Sequence, residues 1–289
     1  MLTIRKLTRH DEAVTESFLA ANAGTTMFLR SNLARAGFEG DAGAPFTGDY
    51  FGAFDGEALV GVVAHGWNDN LMLASFERTV LMVRAAVEAT KRPVRGLFGS
   101  WREVATARTA LDLDGLEARV VSREILFDLS SSDLVVPSAL VERDVIARLP
   151  RDDEIDLLMD WRMAYCAETT NTPDTPSERA SQRQYLDAYQ RRGHHFVVER
   201  AGALVAYAAF NAALPTMVQI GGVFTPRPLR GRGHARCAVA GSLQYARDRG
   251  VTRAILFTGE ENAPARAAYE AIGFRRIGDY GIVMFTAPR

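Results

Sequence analysis

The sequence predicts an α/β (α+β) protein built as two tandem copies of one plan, and two ungapped internal matches carry that expectation. Residues 51–60, "FGAFDGEALV", align with residues 196–205, "FVVERAGALV". Both read as hairpins, turning at Asp55-Gly56 and at Ala201-Gly202. Residues 95–111, "RGLFGSWREVATARTAL", align with residues 253–269, "RAILFTGEENAPARAAY", each a buried strand running into a helix. A length of 289 residues suits two domains, since a domain commonly takes ~100 to 200 residues.

The elements follow in order. A strand is expected over residues 2–7, helices near 11–23 and 28–36, and a hairpin over 50–65. Strand, helix, strand, helix and closing strands then run to about residue 129. "SSSDLVVPS", residues 130–138, reads as a linker, which places the domains at 1–135 and 136–289. The second half repeats the order, with a strand near 141–148, helices near 153–168 and 176–191, and the hairpin from His195. "TTNTPDTPS" between those helices is a proline-bearing loop placed to lie over a site.

Composition narrows the function classes. The chain is 47% hydrophobic and 24% charged with a net charge of −1, and it has no basic or acidic tail, so nucleic acid is not an expected partner. The N-terminus is charged from its fifth residue, unlike a signal peptide, and the longest apolar run, residues 203–210, is far too short to span a membrane. A cytoplasmic protein with no membrane partner is expected. Cys166 and Cys237 have neither CxxC spacing nor histidines beside them, so neither a metal site nor a disulfide is expected.

The two halves differ in one informative place. Val60 to Arg95 spans 35 positions, whereas Val205 to Arg253 spans 48, and the extra length falls on a loop that only the second half has. Residues 221–246, "GGVFTPRPLRGRGHARCAVAGSLQYA", hold four arginines and five glycines around two prolines. A strand leads into Arg230-x-x-Gly233-x-Ala235, and a helix follows whose apolar positions Ala235, Val239, Leu243 and Ala246 recur at three and four. Small residues at the positive end of a helix let successive N–H groups converge on an anion, and Arg227, Arg230, Arg232 and Arg236 add cations suited to phosphate. A dinucleotide GxGxxG would need glycine where Arg236 stands, and a Walker A loop needs Gly-Lys, which neither Lys6 nor Lys91 supplies.

Beyond the next strand, "GEENAPARAAYEAIGF" reads as a helix with Asn262 as N-cap, Pro264 in the first turn and Gly273 past the end. Asn262 and Tyr269 fall on nearly the same face, and Leu111 takes the place of Tyr269 in the first half.

With both elements in hand, "RGRGHA" and "NAPARAAYEAIGF", the sequence resembles the GNAT acetyltransferase superfamily. Its acyl-CoA loop has the form Arg/Gln-x-x-Gly-x-Gly/Ala, and its later segment has the form Asn…Tyr-Glu-x-x-Gly-Phe. The whole chain is similar to a tandem GNAT with a degenerate first copy. The resemblance implies two domains, each a mixed, mainly antiparallel sheet flanked by helices, with acetyl-CoA as co-substrate and no metal. It implies that Arg230, Gly231, Arg232, Gly233, His234 and Ala235 surround the CoA pyrophosphate, with Asn262 close by. The backbone of Val223, Phe224 and Thr225 would meet the pantetheine arm, and Gly221-Gly222 would provide the bulge that admits the thioester. Tyr269 would give a proton to the departing thiolate, a step typically worth ~10² to 10⁴ in rate.

The base that takes the amine's proton is harder to assign. "TMVQIGGVF" has no carboxylate, so Glu168 at the end of a helix beside the proline-bearing loop is the leading candidate, ahead of Glu199 and Asp279. His194-His195 reads as structure at a strand start. The expected activity is acetyl transfer from acetyl-CoA to a primary amine of a small molecule, amino acid or peptide, by direct attack. The alternatives are an acyl-CoA sensor without turnover and an unrelated phosphate-binding protein. The first half is expected to cover one side of the acceptor cleft or to make a homodimer contact.

Overall fold

The computed structural model describes residues 2–41 and 43–288. In chain order the elements are β1 (Leu2–Lys6), α1 (Glu12–Ala21), α2 (Ala23–Ala36), β2 (Gly48–Asp55), β3 (Ala58–Gly66), β4 (Asn70–Ala74), α3 (Thr79–Thr90), β5 (Gly96–Gly99), α4 (Trp101–Ala110) and β6 (Ala118–Ser130). There follow α5 (Ser138–Val141), β7 (Ile146–Arg148), α6 (Ile155–Thr170), α7 (Pro176–Arg192), β8 (His195–Arg200), β9 (Ala203–Leu214), β10 (Met217–Phe224), α8 (His234–Arg247), β11 (Arg253–Gly259), α9 (Ala263–Glu270) and β12 (Arg275–Phe285). They form two compact units, one from Met1–Ile125 with Gly278–Arg289 and one from Leu126–Ile277.

In the first unit the strand order is β1-β2-β3-β4-β5-β12. All neighbours are antiparallel except β4 and β5. Its core has two parts: Val63, Leu73, Met82, Val104 and Val283 pack together, and Leu19, Leu29, Tyr50 and Val62 form a second cluster. The short turn after β4 is tied from within. Glu103, 2% exposed on α4, accepts the N–H groups of Ser75 at 2.5 Å and Phe76 at 2.8 Å and the Ser75 hydroxyl at 3.1 Å, and the Ser100 hydroxyl donates to its other oxygen.

In the second unit the order is β7-β8-β9-β10-β11, with β6 beside β11. Here the parallel pair is β10 and β11, while β7 to β10 run antiparallel. Each unit is thus the mixed, mainly antiparallel sheet with helices that two GNAT-like copies imply. The halves exchange strands: β12, last in the chain, completes the first unit, and β6 from Leu126 onward counts with the second.

Helix α8 lies close to the sheet because its inner face is small. A Cβ built on Gly241 would stand 2.1 Å from that of Ala147 on β7, a contact no other residue permits. On the other side Ile155, Leu158, Met159 and Met163 of α6 pack with Leu186, Val197 and Tyr207. One expected element is corrected. The strand near 141–148 is only three residues long, because Pro137 starts a short helix whose Leu140 N–H donates to the Pro137 carbonyl at 3.0 Å.

Candidate active site

The site grows out of a defect in pairing. β10 and β11 pair over only three positions, from Met217 with Arg253 to Gln219 with Ile255. Beyond them the register of β10 against β9 shifts between Gln219 and Ile220 and again between Gly221 and Phe224. Gly222 lies at φ +62°, in the left-handed region that glycine enters without steric cost. Ile220 to Phe224 therefore present backbone that is not spent on β11, and Gly221-Gly222 form the expected bulge.

The arginine-rich loop leaves the end of this strand. Gly231 at φ +76° and Gly233 at φ +79° turn the backbone twice into the left-handed region, and Gly233 is the N-cap of α8 with no side-chain cap. The Cys237 N–H donates to the Gly233 carbonyl at 3.3 Å, so the N–H groups of His234, Ala235 and Arg236 precede the helical ladder and point out at its positive end. The His234 side chain is buried, and that burial holds its pKa below the usual histidine value, with Arg200 and Arg232 adding to the effect. The Arg230 guanidinium donates to the Thr225 carbonyl at 2.9 Å and stands over the Phe224 ring, which packs on Trp161. The Thr225 hydroxyl oxygen is buried with no hydrogen-bond partner among the described residues. The loop thus brings together orphan donors and cations, which suits a phosphate group.

Asn262 caps α9 by accepting the Ala265 N–H at 3.3 Å, and its amide donates to Thr258. Tyr269, two turns on, is 7% exposed, and its ring stands edge-on to Phe127 and Phe274. Gly273, at φ +104°, ends the segment where any Cβ would meet the Asp133 carbonyl at 2.4 Å.

The carboxylates considered as bases are all engaged. Glu168 accepts Arg230 at 2.7 Å on one oxygen and Arg227 at 2.9 Å on the other. Partial burial works to raise its pKa, but the hydrogen bonds and charges of Arg230 and Arg227 outweigh it, and the net shift is downward. That makes Glu168 a weak proton acceptor and a tether for the loop. Glu199 and Glu154 share Arg148 at 2.6 Å each. Asp279 belongs to the first unit, where it accepts Arg123 and the Trp101 N–H. His195 is fully buried: its Nε2 donates to Gln190 at 2.6 Å, and the Tyr207 hydroxyl donates to Nδ1 at 3.3 Å.

Sequence reasoning passed over Arg162 of α6. Its Nη1 lies 3.4 Å from the point where a Gly222 Cβ would be, and its Nε donates to Gln182 at 2.8 Å. The only local signal is an arginine within the aromatic run "WRMAYC". Among the described residues, no group of three or more His, Cys, Asp or Glu is placed to hold a metal ion, and no helix is long and apolar enough to cross a membrane.

Residues 156–274, which take in the loop, the splayed strands and Tyr269, match the Acetyltransferase (GNAT) family model. The chain carries a GNAT acetyltransferase domain. Over 106 residues the chain is 32% identical to N-acetyltransferase family 8 member 2 of Rattus norvegicus, an alignment covering 34% of the chain and 44% of that relative's length. Among solved structures, a GNAT-family acetyltransferase from Colwellia psychrerythraea aligns over 98% of both chains at 17% identity and a TM-score of 0.52. A tandem GNAT protein from the clavulanic acid biosynthesis pathway aligns over 100% of this chain and 98% of its own, at 17% identity and a TM-score of 0.55. At that identity the likeness is one of fold, with two domains of GNAT-like architecture in one chain.

Proposed function

We propose that this GNAT chain is an N-acetyltransferase that moves an acetyl group from acetyl-CoA to a primary amine of a small molecule, amino acid or peptide, with its one acyl-CoA site in the second unit. The observation that carries the reading is the pairing of the splayed β10 edge with the positive-φ loop of Gly231 and Gly233 at the start of α8. The amides of Arg230 to Ala235 receive the pyrophosphate, with Asn262 on the neighbouring helix start. The backbone of Val223 to Thr225 takes the pantetheine arm, and the reading is supported by a Thr225 hydroxyl that has no hydrogen-bond partner among the described residues.

The chemistry asks little more of the chain. A neutral amine attacks the thioester carbonyl, forming a C–N bond. The Val223 N–H steadies the carbonyl oxygen as it gains charge. The C–S bond then breaks, and Tyr269 returns a proton to the sulfur. Holding both reactants against one strand edge supplies much of the acceleration. Glu168 keeps Arg227 and Arg230 in place, and the amine loses its proton to water or buffer.

The second reading, a sensor that binds acyl-CoA without turnover, draws its support from the engagement of Glu168, Glu199 and Asp279 in ion pairs. Titration calorimetry with acetyl-CoA, followed by thiol release with a panel of amines, separates the two. One site per chain with amine-stimulated release supports the transferase. Tight binding with no release on any amine supports the sensor. Equal competition by ATP and CoA would sink both.

A further inference from the structure

We propose that Arg162 is the carboxylate anchor of the acceptor site, so that the amine acetylated is the α-amine of an amino acid with a free carboxylate. This rests on the acetyl-transfer reading for where the thioester lies. The surroundings of the guanidinium carry the inference. Arg179, Arg183, Arg227 and Arg230, on α7 and the loop, each hold a carboxylate. Arg162 is half-buried, yet no Asp or Glu oxygen among the described residues comes within 4.0 Å of it.

Its partners are neutral instead. Gln182 takes the Nε hydrogen, and the rings of Tyr165 and Tyr185 face the guanidinium at 5.6 Å and 6.0 Å. The Tyr165 hydroxyl lies against the backbone of Gly222. With Nε engaged, the two Nη groups form the remaining edge, and that edge matches the two oxygens of a carboxylate. A half-buried cation without a counter-charge is costly, and an anionic ligand relieves the cost.

Position then selects the ligand class. Nη1 stands 3.4 Å from the point where a Gly222 Cβ would be, one residue before the Val223 amide assigned to the thioester oxygen, and neighbouring Cα atoms are ~3.8 Å apart. A carboxylate bound to Arg162 places an amine one carbon away within reach of that carbonyl. A long polyamine would instead bring a second cation against the guanidinium. Trp161, Tyr165 and Tyr185 on the same helices offer apolar walls to the amino-acid side chain.

The test uses the full chain, with Arg162→Gln and Arg162→Lys. Thiol release from acetyl-CoA is measured with the twenty common L-amino acids and with their carboxamides, and binding of both sets is titrated in the presence of CoA. Acetyl-CoA affinity serves as the folding control. The wild type should prefer at least one acid over its amide by about 100-fold or more in kcat/KM. Both variants should lose most of that preference with acetyl-CoA affinity unchanged. Equal use of acids and amides by the wild type, or a preference kept in Arg162→Gln, overturns the assignment. If no acceptor releases thiol but the wild type binds acids over amides and Arg162→Gln does not, the anchor stands and the transferase reading fails. If neither release nor binding distinguishes the two sets, the anchor is wrong, and the acetyl-CoA titration judges the transferase reading by itself.

Discussion

The Glu168 carboxylate meets the Arg230 guanidinium at 2.7 Å, which joins the end of α6 to the loop that opens α8. The pair is 29% and 43% exposed, so its contribution to stability is small, about 1 kcal/mol or less. Its role is to position the loop. Glu168→Gln should therefore fold normally and lower kcat by less than tenfold, with its effect falling on acetyl-CoA affinity. A loss of ~10² to 10⁴ in kcat with an altered pH–rate profile would make Glu168 the base after all.

Gly233 gives a sharper test of the phosphate loop. Its φ of +79° is strained for any side chain, and a Cβ there would meet the Arg236 Nε at 2.9 Å. Gly233→Trp should abolish acetyl-CoA binding in calorimetry while the far-ultraviolet circular dichroism stays native. Normal binding by this variant would remove the loop from the site.

Tyr269 separates binding from chemistry. Its ring is packed against Phe127 and Phe274, so Tyr269→Phe keeps the packing and deletes only the hydroxyl. Acetyl-CoA affinity should hold while kcat falls ~10² to 10⁴, the range typical of a lost general acid. An unchanged kcat would mean that the thiolate leaves without help from this residue.

His195 makes the second unit sensitive to acid. Burial, with a smaller contribution from the neighbouring His194, holds its pKa at about 4. The unfolded chain, with a histidine pKa near ~6.5, binds the proton more readily between those two values. Stability from this group is complete above pH ~6.5 and declines as the pH falls toward 4, by roughly 3 kcal/mol at ~1.36 kcal/mol per pKa unit. Urea midpoints should drop between pH 7 and pH 5 in the wild type and drop less in His195→Gln.

The site's backbone was legible in the letters because glycine reports conformation directly. Gly222, Gly231 and Gly233 all stand at positive φ, and Asn262 caps the helix it was assigned to. The ion pairs of Glu168 were not legible, since its partners lie 59 and 62 positions away and only packing brings them together. Nor does any local pattern show that β12 completes the first unit, because a strand carries no mark of the sheet it will join. Arg162 escaped for a related reason: its nearness to Gly222, with Gln182 and two tyrosine rings around it, is a property of three-dimensional surroundings.

Glu103 closes from within the turn that follows β4 in the first unit. Its buried carboxylate takes the Ser75 and Phe76 amides just past β4, the place in the fold where the second unit leaves amides free past β10. The first unit thus satisfies these donors with its own side chain. Glu103→Ala should orphan both amides at about 1 to 3 kcal/mol each, lowering the urea midpoint clearly, while Glu103→Gln, which keeps an acceptor oxygen, should lose much less. Acetyl-CoA should still bind one site per chain in both variants, because the removed carboxylate leaves behind neither the glycines nor the arginines of the second unit's loop. A second site appearing in Glu103→Ala would mean that the carboxylate had been blocking a competent cleft. An unchanged urea midpoint in that variant would show that the two amides find other partners.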